Sequence, residues 1–272
     1  MSSQYSITLN SFWLRQQVNR TGDPNRPYGH PDADALNFTF STAVIDVADR
    51  RMSPFEDIET QTYRNLRTNH ILGLSPPRRM APDEYSNSED FPWHIWSGTL
   101  DARKVAVAII PSVWICHGAN FRYEQFLARR EANGHQATLE RILDLCNHGA
   151  SEPMLLSGGW NGVYVANSEP GDRPFGAWQA ARMYTEFHGP FQIPIANGEW
   201  HPPTLLVTEE SAEAALATSE PAGISWDLVG PGEHLSVAAP GLIELRCKEP
   251  VSSHGAFFGG EYSLFLEIKR VS

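Results

Sequence analysis

The sequence predicts a β-rich α+β protein: an antiparallel sheet or sandwich built from both chain ends, with a helical hairpin inserted between them. Three observations predict it. Near the start, Ile7 and Leu9 interleave with Thr8 and Asn10, and Leu36, Phe38 and Phe40 interleave with Asn37, Thr39 and Ser41. A period of two is that of a half-buried strand. Near the end, Leu242 to Cys247 and Tyr262 to Val271 are again strand-like. Between them, Leu139, Ile142, Leu143 and Cys146 fall on one helical stripe. That stripe follows a helical segment over Phe121 to Ala132 and a stop at Asn133-Gly134, which together make the hairpin.

The remaining elements follow in chain order. Thr21 to Asp34 holds three prolines and two glycines and reads as a long loop between strands. The Leu36 strand continues through Ala43 to Val47. Ser53-Pro54 resembles a helix cap with proline at the first helical position. Phe55, Ile58, Tyr63, Leu66, His70 and Ile71 then predict a helix ending at Gly73. Residues 75 to 92, with four prolines, form the most loop-like stretch. Trp93 to Leu100 and Lys104 to Cys116 read as strands, the second apolar enough to be buried on both faces. Beyond residue 154 come a strand around Val163 and Val165, a short helix over Phe175 to Phe187, and a strand from Leu205 to Val207. Thr208 caps a helix running Glu209 to Ala217, whose first-turn acids suit the helix dipole. HPDADALNFTF and FGGEYSLFLEI, near opposite ends, both place a turn and an acid before an aromatic-rich strand, an echo expected if the terminal strands share one sandwich.

Length and composition narrow the function classes. At 272 residues and 41% hydrophobic, the chain is long enough for one domain over 1–272, with a mixed α/β half (1–150) and an acidic, β-rich half (151–272). A net charge of −11 argues against a nucleic-acid face, which needs clustered cations. The longest apolar run, residues 104 to 117, falls short of the roughly 20 residues of a membrane span. The start carries no basic segment followed by an apolar one, so no secretory signal is expected. Cys116, Cys146 and Cys247 are odd in number and widely spaced, which predicts thiols in a reducing, cytoplasmic setting.

Charge is unevenly placed. Residues 1–150 hold 17 acids and 15 bases, whereas 151–272 hold 15 acids and 6 bases. From 183 to 245 there is no Lys or Arg but nine acids: Glu186, Glu199, Glu209, Glu210, Glu213, Glu220, Asp227, Glu233 and Glu244. Trp160 and Asn161, Trp200 and His201, and Trp226 and Asp227 pair a flat aromatic face with a polar neighbour, as recognition surfaces do. The leading expectation is therefore a recognition protein that binds a basic protein or peptide.

Two alternatives rest on other residues. Cys116-His117 follows a buried strand and precedes a glycine turn, where a thiolate nucleophile is well presented. Adjacent strand residues face opposite ways, so His94, His148 or His188 would serve as its base in a hydrolase or transferase acting on a small-molecule ligand. In the third reading, Asp23, Asp32 and Asp34 gather oxygen ligands for Ca²⁺, with no EF-hand spacing, in a lipid- or sugar-binding module. No HxxxH, HxH or HExxH motif marks a transition-metal site. If the three aspartates bind Ca²⁺, adding it raises the thermal midpoint. An identical midpoint in Ca²⁺ and in chelator removes this loop as a calcium site.

Overall fold

The computed structural model describes residues 3–16, 34–74, 84–86, 89–101, 104–115, 154–156, 162–164, 173–174, 198–200, 204–217, 233–248 and 261–271. They form two large sheets around one core, and a separate two-stranded sheet. In the first sheet, β1 (Ser3–Gln16) pairs antiparallel with β17 (Glu261–Val271) along nearly its whole length, from Gln4 opposite Val271 to Gln16 opposite Glu261. The other edge of β1 is shared. β8 (Trp93–Leu100) takes Ser3 to Leu9, and β6 (His70–Gly73) takes Ser11 to Leu14. Beyond β17 lie β16 (Leu242–Lys248) and then β15 (Glu233–Ala239). The chain ends thus pair antiparallel within one sheet.

The second sheet centres on β2 (Asp34–Asp46) and β9 (Val105–Ile115), paired from Leu36 opposite Ile115 to Asp46 opposite Val105. β14 (Thr204–Val207) and then β10 (Met154–Leu156) extend it beyond β9, and β12 (Arg173–Pro174) pairs with the far end of β9. A separate pair joins β11 (Gly162–Tyr164) to β13 (Gly198–Trp200). The echoing segments do not pair with each other: one is β2 and the other β17, in different sheets. From Leu36 to Ala43 β2 is buried on both faces, as is β9 from Ala106 to Ile109. Leu36, Phe38, Phe40, Val107 and Ile109 enter the shared core, while Thr39, Ala43, Ile45, Ala106 and Ala108 on the opposite face are equally covered.

Aromatic rings bridge the sheets. Phe12 of β1 lies 4.6 Å, centroid to centroid, from Phe38 of β2 and 5.7 Å from Tyr262 of β17. Phe38 continues to Tyr63, and Tyr63 to Phe91. Such tilted and stacked pairs add to the apolar burial that these large rings already supply.

The helix expected from Ser53 to Gly73 is not formed. Short strands stand there instead: after β3 (Arg51–Met52), which ends just before Ser53, come β4 (Glu56–Glu59), β5 (Tyr63–Leu66) and β6. The first three hydrogen-bond in turn along the edge of β2. Backbone turns within the segment and pairing with β2 together account for it. Asn65 and Asn69 hold positive φ, which interrupts a right-handed helix but suits asparagine at kinks and turns. Thr60 binds Phe38 from both sides, its N–H donating to the Phe38 carbonyl and its hydroxyl accepting the Phe38 N–H. Within the stretch 75 to 92, expected as a loop, β7 (Glu84–Ser86) lies parallel to β6.

The helix expected over Glu209 to Ala217 is present as α1 (Glu209–Ala217), the one helix among the described residues. Its cap is reciprocal. The Ser211 N–H donates to Thr208 Oγ1 and the Thr208 N–H donates to Ser211 Oγ, the capping-box arrangement. At its other end the Gly241 N–H donates to the Ala215 carbonyl. Gly241 has φ +73°, and a Cβ there would stand 2.6 Å from the Ile268 carbonyl oxygen. The hairpin expected over Phe121 to Cys146 gains no support, since those residues lie outside the described ones, as does the helix expected over Phe175 to Phe187. No helix among the described residues is long and apolar enough to cross a membrane.

Truncating the central rings tests the shared core. Phe38→Ala is expected to cost about 3–5 kcal/mol in urea unfolding, through lost burial and a cavity. Val44→Ala, at a position 36% exposed, is expected to stay within about 0.5 kcal/mol.

Candidate functional site

Three sequence candidates fall on described residues, in three different places. His94 is on β8, opposite Thr8 of β1. The register shifts between Ile7 and Thr8, so that Ile95 and Trp96 are both buried. This bulge sets His94 and Ser97, three residues apart, on the same outward face, although an odd separation in a regular strand would oppose them. His94 Nε2 lies 2.7 Å from Ser97 Oγ, and both residues are exposed. Asp34 begins β2 and pairs with Leu66 of β5. Trp200 ends β13, opposite Gly162. Asp23, Asp32, Cys116, His117, His148, Trp160, Asn161, His188, His201, Trp226 and Asp227 lie outside the described residues. Cys116 follows directly on Ile115, which pairs with both Leu36 and Arg173. Among the described residues, no group of three or more His, Cys, Asp or Glu side chains is arranged to hold a metal ion.

The acidic stretch is clearer. Two of its nine acids are matched by arginines from the terminal strands. Glu213 of α1 accepts the Tyr5 hydroxyl at 2.5 Å and the Arg270 guanidinium at 2.5 and 3.1 Å. Tyr5 is on β1 and Arg270 on β17, so one carboxylate ties the helix to both strands. The Tyr5 hydrogen bond, reinforced by Arg270, holds the Glu213 carboxyl below its ordinary value. Burial, together with the Glu213 carboxylate, pushes the Tyr5 phenol up.

Glu244 of β16 meets the other arginine. Arg15 reaches Glu244 Oε1 at 2.6 Å and Ser263 Oγ at 2.8 Å, and its guanidinium stacks 3.7 Å from the centroid of Trp13. Ser263 also donates to Glu244 at 2.6 Å. On the neighbouring rung Arg246 holds Glu261 at 2.5 Å. Both glutamate side chains are largely buried, at 15% and 10% exposure, so these contacts are screened far less than open-surface pairs. The other described acids of the stretch are differently placed. Glu210 is exposed and Glu209 half-buried at the start of α1, and Glu199 and Glu233 sit on β13 and β15.

Sequence reasoning missed these two constellations, because the arginines lie 57 and 229 residues from the acids they meet. The legible signal was limited to charges at alternate positions on strands otherwise apolar, such as Glu244 and Arg246.

A second polar row lines the face of β2 beside β4. Ser41 Oγ donates to Asp57, and the Asn37 amide nitrogen donates to the Thr60 carbonyl at 2.6 Å and to Glu59 at 3.2 Å. Across the core, Trp93 Nε1 donates to Tyr63 at 2.7 Å, fixing a phenol that burial raises.

The described residues define a β-rich protein with two large sheets and one capped helix pinned to the first of them. Compared with known protein families, curated proteins and solved structures, the chain matches none of them.

The Glu213 contact gives a pH-dependent expectation. A carboxyl held below its ordinary value stabilises the fold above the unfolded pKa, and that contribution disappears as pH falls through the folded value. Glu213→Gln is therefore expected to unfold at lower urea than the parent near neutral pH. The gap is expected to narrow well below the ordinary glutamate value of 4.5. A gap independent of pH would show that the contact works through packing alone.

Proposed function

We propose that the protein is a recognition protein that binds a basic protein or peptide through its 183–245 segment, with Trp200 and Trp226 as aromatic anchors. One observation carries this reading: nine acids and no Lys or Arg across that segment, against a near-balanced 1–150 half. A field of one sign speeds the encounter with an oppositely charged partner and suppresses like-charged ones.

Structural details refine the reading. Glu213 and Glu244 are engaged within the chain, by Arg270 and Arg15. They shape the scaffold, and recognition falls to the other acids, of which Glu210 stands exposed on a helix fixed at both ends. A fixed presentation lowers the ordering cost of binding.

The test is titration of the protein with an arginine-rich peptide at several salt concentrations. Affinity is expected to fall by roughly tenfold or more as the Debye length shrinks from about 30 Å to about 3 Å. An acidic peptide of equal length is expected not to bind. Salt-independent affinity, or equal binding of both peptides, overturns the proposal.

A further inference from the structure

We draw no further inference here: the strongest candidate, the His94–Ser97 pair that the bulge at Ile95 sets on the outer face of β8, is a lone exposed base–hydroxyl contact, and nothing among the described residues places an acid against the imidazole or a substrate-binding concavity around the hydroxyl.

Discussion

Hydrogen bonding between β1 and β17 is the constraint on which the other contacts depend. β1 lies inside the first sheet, so its second edge is free to receive β8 along one half and β6 along the other. Its inward side chains, Tyr5, Ile7, Leu9, Phe12 and Leu14, are buried because sheet continues on both sides of the strand. Phe12 then meets Phe38 of the second sheet and Tyr262 of β17, so the strand pairing also sets the contact between sheets. A one-residue slip in this ladder would turn Phe12 and Leu14 outward and Trp13 and Arg15 into the core.

The same pairing organises the charge. Arg15 and Arg270 belong to β1 and β17, and each reaches an acid in a stretch that has no cation of its own. The long-range composition bias is thus partly resolved in three dimensions. What is segregated along the sequence is neutralised across the sheet at Glu213 and Glu244, and it persists at exposed positions such as Glu210. The Arg15–Glu244 contact also fixes strand order, because a part-buried carboxylate without its cation is costly.

Long strands and the capped helix were legible because their signals are local. Alternation marked β1 and β2, an apolar run marked β9, and β16 and β17 also read as strands. Thr208, followed by two acids, marked α1 to the residue. The segment from Arg51 to Gly73 was not legible. Tyr63, Leu66 and His70 match helical spacing by coincidence, and what decides their state is a strand edge their own sequence does not encode, that of β2 for Tyr63 and Leu66 and that of β1 for His70. Thr60 shows why: its role is two hydrogen bonds to Phe38, and no local pattern signals that. Of the site candidates, His94 was correctly placed in a strand, but its orientation depends on a bulge defined by register with β1. The carboxylates at 213 and 244 were visible as acids, whereas their partners emerge only when distant strands meet.

The β1–β17 ladder also has a consequence in time. Asn10 and its partner Glu267 are separated by 257 residues. At ordinary translation speeds of about 5–20 residues per second, β1 leaves the ribosome on the order of 10–50 s before β17 exists to pair with it. During that interval Tyr5, Ile7, Leu9 and Phe12 have no completed sheet to bury them. The nascent chain therefore carries an exposed, strand-prone apolar segment, the kind of surface that chaperones shield and that aggregates when unshielded.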